Sequence, residues 1–359
     1  MLRAISLFSG CGGFDLGVKR AGFQILYATD IWNVACTSHH RNALSNNTDC
    51  TDVRAINTQQ IRQDSGLGGN ELDLLFGGPP CPPYSKSRFY RKEKPRALAD
   101  PTAHTLERFL ELVADLQPRA FILENVPGLA FSPHQEALNL VLESASESNY
   151  ETSFAVLNAA NYGVPQIRQR FFVVGWRGRG GNFRFPQPTH AEDPALLRGA
   201  DLRPWITAGE AIGDLDTPEN ADRTGHRAGG RHEFLLEQVP PGENYLHFTA
   251  ERGHPEPQFK WRSRYWSFLL KLAPSRPSWT IQARRSNNMG PFHWRNRILR
   301  IAEIKRLQSF PDGFHFEGTV DEQWRQIGNA VPPLLAESVA TAVRLQLLEA
   351  HGCDSRLIA

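Results

Sequence analysis

The sequence has few cysteines and no long apolar run. Its five cysteines include no Cys-x-x-Cys pair, and their number is odd. This argues against a disulfide framework or a bound metal such as zinc, and it favours a reducing compartment. No apolar stretch is long enough to cross a membrane. Residues 1–8 are too short for a signal peptide, and we expect them to form the first strand.

Neither sign of charge is in large excess: the chain has 40 basic residues (Lys and Arg) and 38 acidic ones (Asp and Glu). The net charge of +2 is too small to indicate a nucleic-acid partner by itself. Two segments are nevertheless basic: residues 86–96 and 284–306 each contain a single acidic residue among six and seven basic ones, respectively. A charge run is usually a solvated loop, but two such runs favour a polyanionic partner.

The first half of the chain alternates apolar, strand-like segments with helix-like ones. This order predicts an α/β fold with a mostly parallel sheet covered on both faces. The composition changes after about residue 176, and residues 177–260 are rich in Gly, Pro, Arg and His, which is typical of a surface-reading module. The predicted strands are 4–8, 25–28, 72–76, 120–123, 154–157 and 171–174; the predicted helices are 15–21, 102–117, 135–146 and 334–348.

A glycine-rich loop follows the first predicted strand. It reads Phe8-Ser9-Gly10-Cys11-Gly12-Gly13, and Asp30 ends the second strand twenty residues after Gly10. An acid at that position usually binds a ribose hydroxyl pair. The loop departs from Gly-x-Gly-x-x-Gly, so S-adenosylmethionine, which has a ribose and no phosphates, suits it better than a dinucleotide. Trp32 is a candidate for stacking on adenine, although a plain tight turn remains an alternative for the loop.

A rigid turn, Gly77-Gly78-Pro79-Pro80-Cys81, ends the strand at 72–76. It directs one thiol at the edge of the sheet where α/β proteins bind ligands. The alternative is a small buried cysteine in a tight turn.

Two further strand ends carry candidate catalytic side chains. Glu124 leaves the apolar strand 120–123, where burial would raise its pKa and allow it to donate a proton. It would work with Cys81 only if the two strands were neighbours. Alternation places Gln166, Arg168 and Arg170 on one face. The alternatives are a helix cap for Glu124 and an exposed edge for the arginines.

Taken in order, these segments resemble the cytosine-C5 DNA methyltransferases of prokaryotic type. The resemblance covers nearly the whole chain apart from its variable middle. The motifs that carry it are residues 8–13, Asp30-Ile31-Trp32, Asp52-Val53, Gly78-Pro79-Pro80-Cys81, Glu124-Asn125-Val126, Gln166-x-Arg168-x-Arg170, the run from Arg306 to Asp312, and Gly328-Asn329-Ala330-Val331-Pro332-Pro333.

The resemblance implies a Rossmann-like, S-adenosylmethionine-dependent methyltransferase sheet with a smaller target-recognition domain. Residues 1–176 and 327–359 would form the catalytic domain, and residues 177–326 the target-recognition domain. Cys81 would be the nucleophile, Glu124 the acid, and Arg168 and Arg170 the residues that contact cytosine. The implied cofactor-binding residues are Phe8, Ser9, Gly10, Cys11, Gly12, Gly13, Asp30, Ile31, Trp32, Asp52, Val53, Pro79, Asn329 and Val331.

The expected reaction is methyl transfer to carbon 5 of a flipped cytosine in double-stranded DNA. The enzyme is expected to be a cytoplasmic monomer that acts on the bacterial nucleoid, with a restriction endonuclease as a functional counterpart. A tRNA methyltransferase and a non-catalytic DNA-binding regulator remain alternatives. The chain departs from the family in Pro82, where Gln is usual, and in Arg300, where Thr is frequent.

Overall fold

The centre of the molecule is a seven-stranded sheet of mostly buried, apolar strands. The computed structural model describes residues 1–80, 104–130, 135–177, 183–193, 202–218 and 225–350. The sheet strands are β1 (Leu2–Leu7), β2 (Phe23–Thr29), β3 (Asn47–Asp49), β4 (Leu74–Gly77), β5 (Ala120–Asn125), β6 (Tyr150–Asn158) and β8 (Gln169–Arg177), with a short strand β7 (Gln166–Ile167) before the last.

The strand order is β3-β2-β1-β4-β5-β8-β6. All neighbours from β3 to β5 pair in parallel, whereas β8 runs antiparallel to both β5 and β6. The predicted mostly parallel α/β sheet is therefore confirmed, with β8 as the exception. Because β4 lies directly beside β5, the strands that lead to Cys81 and Glu124 are neighbours, as their joint action requires.

Helices cover both faces of the sheet. They are α1 (Gly13–Arg20), α2 (Asn33–Arg41), α3 (Thr58–Asp64), α4 (His104–Leu116) and α5 (Gln135–Glu147), followed near the end of the chain by α10 (Pro333–Glu349). One apolar cluster joins the sheet to α3, α4 and α5. A second joins the opposite face to α1 and α10, so the final helix packs beside the first.

A third apolar cluster lies within the irregular part of the chain. It draws mainly on residues between 208 and 327, and the apolar segment 268–272 is buried in it without forming a strand. The elements here are short: β9 (His190–Ala191), β10 (Arg203–Pro204), α6 (Ala208–Ile212), α7 (Glu233–Gln238), β11 (Ser278–Trp279), β12 (Phe292–His293), β13 (Arg297–Ile298), α8 (Ile301–Leu307) and α9 (Val320–Asn329). Within the described residues, no helix combines the length and apolarity needed to span a membrane.

Gly17 sets how closely α10 approaches α1. A Cβ at this position would lie 2.6 Å from both Pro333 O and Glu337 N, which are backbone atoms and move little. We expect Gly17→Ala to lower the free energy of unfolding by about 1–3 kcal/mol, because this clash outweighs the roughly 1 kcal/mol gain in helix propensity. Urea denaturation measures the change.

Gly69→Ala is the matched control for this substitution. In the part of the chain that the structure describes, no atom lies within 4 Å of the Cβ that it would add. Its free energy of unfolding should stay within about 0.5 kcal/mol of the unsubstituted chain. Equal stability of the two variants would contradict the packing described for α1 and α10.

Candidate active site

The glycine loop joins β1 to α1 and leaves open space beside its backbone. Gly10 has a φ of +54°, and no atom of the described residues lies within 4 Å of the position that a Cβ would occupy. Gly13, in contrast, packs tightly, because a Cβ there would lie 2.6 Å from Val331 O. The Ser9 hydroxyl is buried without a hydrogen-bond partner among the described residues. The glycine loop therefore combines free space beside the Gly10 backbone with a Ser9 hydroxyl that has no hydrogen-bond partner among the described residues.

Asp30 organises the other side of this space. Its carboxylate accepts the Gly10 N–H at 2.8 Å through one oxygen and the Trp32 N–H at 2.8 Å through the other. Burial raises the pKa of Asp30, although these backbone donors act in the opposite direction. Ile31 is 67% exposed, an unusual position for a large apolar side chain. The Arg325 guanidinium lies over the Trp32 ring, 4.4 Å from its centroid, so that face of the indole is covered.

Of the remaining predicted cofactor-binding residues, some lie beside the glycine loop and others make contacts elsewhere. Val331 approaches Gly13 from the segment between α9 and α10, and Asn329 beside it is exposed. Val53 is buried, while Asp52 pairs with Arg54, whose guanidinium holds the pKa of Asp52 below its usual value. Cys11 packs inward, with its thiol directed at Gln326 O at 3.6 Å, and burial raises its pKa to about 12.

The turn after β4 is held directly against Glu124. Gly77 pairs with Leu123 in the sheet, which places Gly78 beside Glu124. A Cβ on Gly78 would lie 2.9 Å from Glu124 Oε2, so a larger residue here would displace the Glu124 carboxylate. Asn125 Nδ2 donates to Pro79 O at 3.3 Å and holds the turn. Cys81 itself lies outside the described residues, as does the basic segment 86–96 with Pro82.

Glu124 forms a largely buried ion pair with Arg170. Arg170 Nε lies 2.7 Å from Glu124 Oε1, and the two side chains are 12% and 11% exposed. Burial raises the pKa of Glu124, while the charges of Arg170 and Arg168 act against this shift. The carboxyl group is thus positioned by a fixed cation and is more readily protonated than an exposed glutamate.

Arg168 and Gln166 bind backbone from distant parts of the chain. The Arg168 guanidinium donates to Ile281 O at 3.0 Å, Gly328 O at 2.7 Å and Ala330 O at 3.2 Å. Gln166 Nε2 donates to Leu307 O at 3.1 Å, and its Oε1 accepts the Ile281 N–H at 3.1 Å. Of this predicted set, Arg170 forms the ion pair with Glu124, whereas Arg168 and Gln166 bind backbone groups.

Gln308 and Asn125 are the positioning residues that the sequence did not single out. Gln308 is fully buried, and its Nε2 donates to Ile327 O at 2.9 Å and Ala330 O at 2.8 Å. Both amides stood within recognised motifs, Gln308 in the run 306–312 and Asn125 directly after Glu124. Their position in those motifs was the only available signal, because their partners are remote in sequence.

We expect Arg168→Met to destabilise the protein. The variant keeps an apolar stem but leaves the buried carbonyls of Ile281 and Gly328 without this donor, whereas Ala330 O retains Gln308. The free energy of unfolding should fall by about 2–5 kcal/mol, measured by urea denaturation. Arg252→Met, at an exposed arginine, is the matched control. A similar small change in both variants would contradict the assigned contacts.

The second basic run, residues 284–306, is partly neutralised within the protein. Arg297 is fully buried and bonds to Glu303, Arg295 pairs with Asp216, and Arg306 pairs with Asp214 and Asp312. These ion pairs engage three of the seven basic residues in 284–306. The interpretation of this run as a polyanion-binding segment therefore stays a prediction, although three of its arginines bind carboxylates of the same chain.

Comparison with known proteins agrees with this architecture. The fold is that of the Rossmann-like methyltransferases: the chain superimposes on a prophage-encoded protein of E. coli with a TM-score of 0.68, covering 97% of this chain and 99% of that one at 23% identity. It also superimposes on the S. pombe Dnmt2 methyltransferase with a TM-score of 0.63, covering 98% and 100% at 16% identity.

Sequence similarity identifies the family. A family model described as C-5 cytosine-specific DNA methylase matches residues 2–344. The chain is 40% identical to the Type II methyltransferase M.SacI of Streptomyces achromogenes, covering 98% of this chain and 95% of the relative. It is 33% identical to M.NgoFVII of Neisseria gonorrhoeae, covering 92% and 83%. The chain therefore belongs to the C-5 cytosine-specific DNA methylase family and is a methyltransferase.

Proposed function

We propose that this enzyme methylates carbon 5 of a cytosine flipped out of a specific site in duplex DNA, through a covalent adduct with Cys81. The observation that carries the proposal is the position of Glu124. Its carboxyl group is buried, paired with Arg170, and packed against Gly78 in the turn that leads to Cys81. A nucleophile and an acid arriving from neighbouring strands suit addition at carbon 6 of the base together with proton donation to N3 on the opposite side of the ring.

In the proposed mechanism, the Cys81 thiolate adds to carbon 6 of cytosine and a sulfur–carbon bond forms. Glu124 hydrogen-bonds or protonates N3, so electron density moves to carbon 5. Arg170 holds the carboxyl group and contacts the O2 oxygen. Carbon 5 then forms a bond to the methyl group. The bond between this methyl group and the sulfur of S-adenosylmethionine would break as the new bond forms. Loss of the carbon-5 proton to water, return of the N3 proton to Glu124 and elimination of the Cys81 thiolate restore the ring. Arg168 acts by positioning the strand that carries Arg170.

The residues around the glycine loop fit S-adenosylmethionine. The open backbone at Gly10, the unused Ser9 hydroxyl and the exposed Ile31 offer a cradle, polar contacts and an apolar surface for adenine. Asp30 lies where a ribose would bind, and Gly13 meets Val331 at the edge of the same space. When bound, S-adenosylmethionine supplies the electrophilic methyl group.

We assign DNA readout to residues 177–326 and catalysis to residues 1–176 with 327–359. The target base has to leave the stack, because carbon 5 and carbon 6 are not accessible within a duplex. Residues 86–96 would contact phosphates in a salt-dependent way. Several relatives are named Type II methyltransferases, so we also propose pairing with a restriction endonuclease. The enzyme would act as a cytoplasmic monomer on the nucleoid.

Methyl transfer to duplex DNA and to tRNA, measured side by side with labelled S-adenosylmethionine, tests the substrate. Label is expected in DNA. Bisulfite sequencing of a plasmid carrying the gene should then show one protected cytosine within a constant sequence context. Label in tRNA alone would overturn the proposed substrate.

The chemical step should slow as the pH rises through the pKa of Glu124. Because burial raises this pKa above its value in the unfolded chain, the protonated donor persists where an exposed glutamate is ionised, and it is lost above the raised pKa. Single-turnover rates across pH should show this alkaline limb. Glu124→Gln should lack it, and an identical limb in the variant would assign the titration to another group.

A further inference from the structure

Two cysteines meet beside the backbone that carries Asp30. Cys36 lies in α2 and is buried, and Cys50 directly follows β3 and is exposed. Cys36 Sγ lies 3.4 Å from Asp30 O and 3.7 Å from Asp49 O. Cys50 Sγ lies 3.9 Å from Ile31 O. The two thiols thus donate to consecutive carbonyls of one segment, and Cys36 Sγ also lies against the carbonyl of Asp49, the residue that precedes Cys50.

The surrounding backbone keeps this pair together. Strand β2 pairs in parallel with β3, and the Asp30 N–H donates to Asp49 O at 3.4 Å where the two strands end. Cys50 is therefore fixed next to the end of β2, while α2 begins three residues after Asp30 and returns Cys36 to the same point. Sequence spacing alone does not indicate this proximity, because thirteen residues separate the two cysteines.

We propose that Cys36 and Cys50 form a reversible disulfide whose formation weakens binding of S-adenosylmethionine. The second part rests on the cofactor site proposed above. Oxidation removes both S–H donors from the carbonyls of Asp30 and Ile31. The segment that presents the Asp30 carboxylate and the exposed Ile31 side chain then loses two of its supports.

A peroxide is the oxidant. The exposed Cys50 thiolate attacks one peroxide oxygen, the O–O bond breaks, and a Cys50 sulfenic acid forms with hydroxide as the leaving group. Cys36 sulfur then attacks Cys50 sulfur, the S–S bond forms, the S–O bond breaks, and the Cys36 proton leaves with the hydroxide as water. Two thiols are oxidised by two electrons and one hydrogen peroxide becomes two waters.

Cys36 and Cys50 have different roles in this oxidation. Burial raises the pKa of the Cys36 thiol, so Cys36 remains protonated and resists direct attack on peroxide. Cys50, on the surface, meets the oxidant first.

The test uses the full chain carrying Cys81→Ser, so that oxidation of the candidate nucleophile does not contribute. After hydrogen peroxide, free thiols are alkylated and the digest is mapped by mass spectrometry. S-adenosylmethionine binding is measured by calorimetry on the same samples before and after reduction with dithiothreitol. We expect a Cys36–Cys50 peptide and a dissociation constant raised between about 5- and 150-fold, restored by reduction.

Two further variants identify the source of any change. Cys36→Ser and Cys50→Ser, each in the Cys81→Ser background, should bind S-adenosylmethionine alike before and after peroxide. Absence of the Cys36–Cys50 peptide would overturn the modification site, and an unchanged affinity with the disulfide present would overturn its coupling to cofactor binding. Failure of the reduced protein to bind S-adenosylmethionine would contradict the proposed cofactor instead, because the peptide map remains readable.

Discussion

Replacing Glu124 by glutamine is expected to slow methyl transfer by about 10²–10⁴-fold. Glutamine preserves the shape of the side chain, and its amide oxygen can still accept a hydrogen bond from Arg170. It cannot transfer an acidic proton to the base. The loss should therefore appear in the single-turnover rate of labelled methyl transfer, while affinity for duplex DNA stays unchanged by fluorescence anisotropy.

Glu151→Gln is the matched control. Glu151 is an exposed carboxylate on β6, in the same sheet but away from the Gly78 turn. Its rate should equal that of the unsubstituted enzyme. A Glu124→Gln enzyme that retains the full rate would show that the buried carboxyl group is a structural partner of Arg170 and takes no part in proton transfer.

Replacing Cys81 by serine should reduce methyl transfer by about 10⁴-fold or more. The hydroxyl group is a far weaker nucleophile than a thiolate at neutral pH, so the adduct at carbon 6 would not accumulate. The described part of the turn supports this assignment, because Pro79 is held by Asn125 and Gly78 lies against Glu124. The next residues along the chain lead directly to Cys81.

A DNA duplex with 5-fluorocytosine at the target position detects the adduct itself. Fluorine cannot leave carbon 5 as a cation, so the covalent complex should persist through denaturing electrophoresis with the unsubstituted enzyme. Cys81→Ser should give no such complex and should still bind DNA. Cys353→Ser, which removes a different thiol, should give it in full. A trapped complex with Cys81→Ser would identify another nucleophile.

Much of the sheet was predictable because its strands are short apolar runs bounded by Gly, Pro or polar residues. Strands β1, β2, β4, β5, β6 and β8 and helices α1, α4, α5 and α10 were all expected, with ends that differ by a few residues. Helix α2 was not predicted, and strand β3 and helix α3 were also missed. The sequences of β3 and α3, Asn47–Asp49 and Thr58–Asp64, are polar and lack an apolar period, so packing rather than pattern determines them.

The basic residues show the limit of reading charge from sequence. The cluster at 284–306 carries seven cations, but Arg297 is buried against Glu303 and Arg306 is shared by Asp214 and Asp312. A carboxylate far along the chain neutralises a cation only once folding brings the two together. Local charge counts therefore overestimated the free positive surface.

By itself the sequence determined the order of the motifs, the alternation of strands and helices, and the chemical types at each strand end, because these depend on local composition and spacing. Only the tertiary structure decided which arginine faces the acid. Alternation puts Arg168 and Arg170 on one face, yet Arg168 binds carbonyls of Ile281, Gly328 and Ala330, and Arg170 pairs with Glu124. Such partners lie more than a hundred residues apart, or on neighbouring strands, and are chosen by packing rather than by local pattern.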